Sequence, residues 1–336
     1  MITKEKDAKE YLSKEVTFCL KGYLCLCVLL HHMYLFTGFF AHTYFGHFLN
    51  RLGGWAVAVF FFISGYGVFQ SYLRDGRQYV KSFMKKRVLP LYLTYLFFVF
   101  VYAVTSYATL SWRAVVTSLS YGGTIVSFGW YFQEIFVFYL MFYVSFRFVE
   151  RKEAGFFIYA LLSCVYLIFS FYLGGHYLSV FPFTFGILIA LYKRDIDRIM
   201  ENHSIAISVV SFLSFFAVYL TYVVSFIMGK FQILPILWDV ACVFSEWAII
   251  AFVISFSYQC CKKGGVLLLV NPVSKWLGKY SLEIYACQGL ILCGLYPYLG
   301  STVWFLIAGS LLTVLLAVLF HKGFSICRRA SAKIAS

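Results

Sequence analysis

Charge is what this chain has least of. Only 12% of its 336 residues are Asp, Glu, Lys or Arg, and just 14 of them are acidic. A soluble domain carries about a quarter of its residues as charges, so a chain that is 62% apolar cannot present a water-facing surface of this size. Lipid must be its solvent. There are five prolines and no Pro/Gly/Ser-rich stretch, low-complexity tract or internal repeat, which excludes linked domains and the repeated halves of many transporters. One membrane domain over 1–336 is expected. Cysteine is present but lacks useful spacing. Of ten, Cys19, Cys25, Cys27, Cys164, Cys242, Cys287 and Cys293 lie in apolar runs, Cys260 and Cys261 are adjacent, and Cys327 is alone. That pattern gives small hydrophobic side chains and no metal site.

What is abundant is long apolar sequence. Runs able to cross a hydrocarbon core of about 30 Å fall near 16–36, 52–73, 88–108, 129–149, 155–173, 177–193, 204–228, 235–258, 280–298 and 302–324. An all-α polytopic membrane protein with ten transmembrane helices is expected. The stretch 109–128 is too polar to cross and reads as an external or interfacial segment. Residues 1–15 resemble the basic front of a signal peptide, but the following run is long and ends in His31, His32 and aromatics without a small-residue cleavage site. It is expected to be retained, with 1–15 and 325–336 as cytoplasmic ends.

The net charge of +14 raises the question of nucleic acid, and its distribution answers it. The basic residues cluster between apolar runs. With a cytoplasmic N-terminus, 25 of the 28 lie in internal segments, leaving Arg51, Arg113 and Lys230 outside. This is the positive-inside asymmetry of a multi-pass cell-membrane protein with both termini cytoplasmic. No nucleic-acid partner is expected.

Charged groups at membrane depth cost about 2.5–3.5 kcal/mol on insertion scales and call for a reason. They are Lys21, His31, His32, Glu134, Asp239, Glu246 and Glu283. Lys21 and His32 are eleven residues apart, which on a helix is three turns with about 20° left over and a rise of about 16 Å. They share one face at two depths. Glu134 and His32 both sit toward the external ends of their spans, where a carboxylate holding one imidazole nitrogen would leave the other as a base. An interhelical polar contact is the alternative reading. His42 and His47 are expected to be solvated or interfacial.

Two further stretches stand out. In Gly54 to Tyr66, the consecutive Phe60, Phe61 and Phe62 precede Ser64-Gly65, a bulky wall beside a point where a helix or ligand approaches the backbone. Lys85-Lys86-Arg87 precede Pro90, which suits a first helical turn. Three cations at a helix start oppose its dipole and require anions, either lipid headgroups or the phosphates of a bound cofactor.

Together these stretches resemble the acyltransferase-3 family of integral-membrane O-acyltransferases. The family's Arg/Lys, ten residues, then His corresponds to Lys21 and His32, with Gly22 beside the cation. Its Phe-Phe-x-x-Ser-Gly-aromatic signature matches Phe60 through Tyr66, and its basic stretch before a proline resembles Lys85 to Pro90. Trp130-Tyr131-Phe132, Pro182-Phe183 with Gly186, and Leu277-Gly278 with Ser281, Glu283 and Tyr285 match further motifs. Two departures stand out. Gln288 occupies a place where the family often has His, and the basic stretch is shorter than the usual pattern.

The resemblance implies transfer of an acyl group, typically acetyl, from cytoplasmic acyl-CoA to a hydroxyl of an extracytoplasmic or lipid-linked glycan. His32 and Glu134 would be catalytic. Lys21, Lys85, Lys86, Arg87 and Ser64 would hold the acyl-CoA, and Trp130 and His31 the acceptor. Besides the donor, the glycan and the bilayer, a homodimer is compatible with the sequence. A transporter or flippase for an anionic or lipid-linked substrate is the rival class, with the same buried charges as a pathway.

Overall fold

A computed structural model describes residues 10–105, 111, 114, 116–118, 125–172, 177–227 and 235–334; the expectation for 109–128 therefore lies largely outside the described residues, as do the first nine residues and Lys230. Every regular element among the described residues is helical: the chain is an all-α polytopic membrane protein. The helices are α1 (Lys14–Thr37), α2 (Tyr44–Phe83), α3 (Leu89–Thr105), α4 (Trp130–Arg147), α5 (Lys152–Tyr172), α6 (Phe181–Leu191), α7 (Lys193–Ile227), α8 (Pro235–Lys262), α9 (Val266–Leu269), α10 (Pro272–Leu299) and α11 (Val303–Ile334).

Local chemistry sets several of their ends. Ser13 Oγ accepts from the Val16 N–H at 3.2 Å and Glu15 lies in the first turn of α1, satisfying an orphan donor and complementing the dipole. Gly38, at φ 61°, closes α1 in the left-handed conformation glycine favours. Asn271 and Ser274 form a reciprocal capping box at the start of α10, with Pro272 in the first turn.

Six helical stretches among the described residues have the length and apolar composition to cross a membrane. One of them, Tyr44–Thr105, runs 62 residues and carries two of the expected runs. The basic segment 74–87, which lies between two of the expected runs, is thus itself largely helical. The direction of the chain changes at Gly76, whose φ of 58° and ψ of −143° lie in a region only glycine occupies at low cost. Gly76→Ala is expected to lower stability by about 1–3 kcal/mol, read as a fall in the unfolding midpoint in detergent; an unchanged midpoint would show that the turn tolerates a side chain.

Between α2 and α3, Met84–Val88 form a π turn in which the Leu89 N–H bonds the Met84 carbonyl. Pro90 follows immediately and offers no N–H, so the regular ladder is interrupted where the wider turn sits. The 177–193 run opens on a 3-10 turn at Tyr177–Ser179 and then holds the 11-residue α6, about 16 Å of helix, with Pro182 in its first turn and non-helical backbone at Tyr192.

By their internal contacts the residues fall into two compact units. The first contains Gly54–Leu96 and Trp130–Val270 with the N-terminal residues up to Thr17. In it, a Cβ on Gly65 would lie 2.2 Å from the Phe183 carbonyl oxygen, and one on Gly186 would lie 2.2 Å from that of Phe62. α2 and α6 therefore cross with their backbones in contact. The segment before α1 is anchored here too: Tyr11 donates to Asp197 at 2.7 Å, and Lys193 lies 4.3 Å from the Tyr11 ring centroid and 3.7 Å from Glu10. Burial and the Asp197 carboxylate push the Tyr11 hydroxyl well above the usual phenol range.

The second unit contains Phe18–Gly53, Phe97–Gly129 and Asn271–Ser336. It repeats the glycine device: a Cβ on Gly22 would lie 2.6 Å from the Ser274 carbonyl oxygen, and one on Gly278 would lie 2.4 Å from that of Phe18. Leu29, Met33, Leu292 and Phe305 form one buried apolar cluster in it.

Candidate functional site

In the second unit, α1 carries Lys21 and His32 on one unbroken helix. Lys21 is half-buried and His32 only 5% exposed. The His32 ring stacks on Phe128, with centroids 3.7 Å apart and planes 12° from parallel. Phe128 takes a φ of 63°, strained for a bulky side chain. Its conformation is fixed by the Tyr285 hydroxyl, which donates to the Phe128 carbonyl. Gly289 gives this segment room, since a Cβ there would lie 2.6 Å from Ser127 Cβ.

His31 points elsewhere, as successive helical residues must. Its Nδ1 is 3.0 Å from the Leu49 carbonyl oxygen, and its ring covers Gly53, where a Cβ would meet His31 Cδ2 at 2.3 Å. A carbonyl only accepts, so Nδ1 carries the proton and Nε2 the lone pair. The two rings lie 5.2 Å apart.

Also in this unit, His321 Nδ1 and Glu283 Oε1 pair at 2.8 Å, with the Tyr280 ring edge-on to the imidazole at 4.9 Å. This answers one buried charge of the sequence with a structural partner 38 residues away.

In the first unit, Glu134 is 2% exposed and accepts from the Tyr166 hydroxyl at 3.0 Å. Ser64 is buried beside Tyr131, and Trp130 starts α4 with its ring edge-on to Phe61 at 6.4 Å. Lys85, Lys86 and Arg87 are exposed on the π turn, and the Arg87 guanidinium lies 5.8 Å from the Tyr139 ring centroid. Glu246 accepts from Ser179 at 3.1 Å. His47 departs from expectation. It is 4% exposed because α2 begins at Tyr44 and draws it into the fold, whereas His42 is exposed. Among the described residues no three His, Cys, Asp or Glu side chains are grouped to hold a metal ion.

The family model of the acyltransferase-3 domain, described as an acyltransferase domain, matches residues 19–322. The chain belongs to the acyltransferase-3 family. No curated protein and no solved structure matches it. The acyltransferase-3 match runs through both units and spans every candidate residue from Lys21 to Gln288. Within this acyltransferase the family glycines are explained by contact: Gly22, Gly65, Gly186 and Gly278 sit where helices touch backbone to backbone. Phe128 and Tyr166 are the contributors that sequence reasoning missed, and Tyr285, read there only as a motif residue, gains its role from its bond to the Phe128 carbonyl. No residue pattern marks a phenylalanine for positive φ or pairs hydroxyls with partners on remote segments.

Proposed function

We propose that this membrane acyltransferase takes an acyl group, typically acetyl, from cytoplasmic acyl-CoA and places it on a hydroxyl of an extracytoplasmic or lipid-linked glycan. The observation that carries this is the single continuous α1, with a half-buried cation about 16 Å along the axis from a nearly sealed imidazole. A phosphate-bearing donor held near Lys21 would lay its pantetheine arm along α1 toward His32. Lys85, Lys86 and Arg87, exposed on their π turn, are the proposed further phosphate contacts, and Ser64 a polar contact for the arm.

In the reaction, the acceptor hydroxyl oxygen attacks the thioester carbonyl as His32 takes its proton. The C–O bond forms, the C–S bond breaks, and the proton passes from His32 to the thiolate that leaves. Trp130 supplies an aromatic face for the sugar, and His31, with its Nε2 lone pair available, accepts from an acceptor hydroxyl. Glu134 is the proposed buried carboxylate of the site, with Tyr166 as its donor.

Purified full-length protein given radiolabelled acetyl-CoA and surface glycan should release CoA thiol and label the glycan in step. Movement of glycan without thioester consumption would replace this reading with a transporter. Lys21→Ala is expected to raise the apparent KM for acyl-CoA about tenfold or more with kcat little changed, as loss of a charged hydrogen bond worth about 1.5–3 kcal/mol predicts. Unaltered donor kinetics would remove Lys21 from the donor site.

A further inference from the structure

Seven buried polar side-chain atoms lack a hydrogen-bond partner among the described residues, and three of them belong to His32 and Gln288. His32 Nδ1 is one; the Gln288 amide oxygen and nitrogen are the others. Gln288 is fully buried one turn before Leu292, which packs against Leu29 and Met33 on either side of His32, and Phe128 touches both His32 and Tyr285, so the amide lies within reach of the imidazole. A buried polar atom left without a partner costs about 1–3 kcal/mol, so three together are an expensive arrangement to keep for packing alone. An apolar side chain would fill the same space more stably.

The surroundings hold these groups in place. Phe128 covers the His32 ring, and its strained backbone is tied by the hydroxyl of Tyr285. Tyr285 lies three residues before Gln288 on α10, so one helical face delivers both the strap on Phe128 and the amide beside His32. Glu134 has the Tyr166 hydroxyl as a donor in its own unit.

We propose that Gln288 is the positioning residue of His32: its amide oxygen accepts the Nδ1–H, which leaves Nε2 as the base, and its amide N–H faces the acyl oxygen. The inference rests on the acyl-transfer reading above. A small rotation of the amide makes the Nδ1–H···Oε1 bond and satisfies two of the three atoms. The third, the Gln288 amide N–H, stays available as a donor until the thioester carbonyl oxygen gains negative charge during attack, which is when such a donor contributes most. A neutral amide fixes the tautomer without the cost of burying a second charge beside the imidazole.

The test uses purified, reconstituted full-length protein and three readouts: kcat, KM for acetyl-CoA, and the thermal unfolding midpoint. Gln288→Leu should lower kcat about 100-fold with KM changed less than about twofold and the midpoint unchanged or raised, the signature of a polar group kept for function at a cost in stability. Gln288→His, which retains a hydrogen-bonding group, should recover activity to within about tenfold of the unmodified protein. Two results would overturn the inference. One is an unchanged kcat in Gln288→Leu. The other is a loss of activity that tracks a fall in the midpoint and is not restored in Gln288→His, which would make Gln288 a packing residue. If the unmodified protein consumes no acetyl-CoA, the acyl-transfer reading itself fails, whereas the midpoint of Gln288→Leu still reports whether the amide is held at a cost.

Discussion

His32→Ala is expected to reduce acyl transfer by about 10²–10⁴ in kcat, the range lost with a general base. The KM for acyl-CoA should stay close to that of the unmodified protein, because the proposed donor contacts lie elsewhere on α1 and on the π turn. Removing the imidazole also unroofs Phe128, whose ring stacks on it at 3.7 Å, so packing needs its own control. His32→Phe keeps an aromatic face for that stack and has no proton-accepting nitrogen. If both variants insert, unfold near the normal midpoint and fail to release CoA, the nitrogen is what matters. A His32→Phe protein that acylates at the normal rate would take His32 out of the chemistry.

The largest effect on folding is expected from Gly186→Leu. A Cβ at this position would already lie 2.2 Å from the Phe62 carbonyl oxygen and 2.7 Å from the Tyr66 nitrogen, both of them backbone atoms that cannot rotate away. Overpacking of a tight core typically costs about 1–3 kcal/mol, and a leucine against two backbone atoms should exceed that range. Folded protein recovered from membranes should fall severalfold or vanish. Gly67→Leu is the control on the same stretch of α2, since a Cβ there meets nothing within 4 Å. Equal recovery of the two variants would show that α2 and α6 are not held backbone to backbone.

Much of the fold was legible because lipid imposes long apolar runs, and among the described residues six helical stretches have the length and apolar composition to cross a membrane. What hydropathy could not give was how the chain behaves between them. The segment 74–87 has the charge of a loop, yet Gly76 alone turns it while the flanking residues stay helical. His47 looked like a loop residue for the same reason and is buried. The close approach expected at Ser64-Gly65 is present, but its partner, Phe183, is more than a hundred positions away and left no mark on the sequence near Gly65.

In the candidate site the reading from residues was uneven. The periodicity of one helix is enough to put Lys21 and His32 on the same side, and α1 is unbroken between them. Glu134 was matched to His32 by depth alone, a one-dimensional measure blind to Tyr166, its hydrogen-bond donor. Gln288 was visible in the sequence as a departure from the family pattern. The positioning role proposed for it comes from the burial of its amide with both polar atoms lacking a partner, which no residue pattern displays.

The π turn before Pro90 also changes how this region must be counted. It closes with a bond from residue 89 to residue 84, so it houses one residue more than an α turn would. That surplus turns all of α3 by about 100° relative to an uninterrupted helix. Thr94, Tyr95, Phe98, Val99 and Tyr102 are buried while Leu93, Phe100 and Val104 are exposed, so the inward stripe is set in the rotated frame. Deleting a single residue from 84–88 would leave composition and hydropathy almost untouched and swing that stripe away from its neighbours.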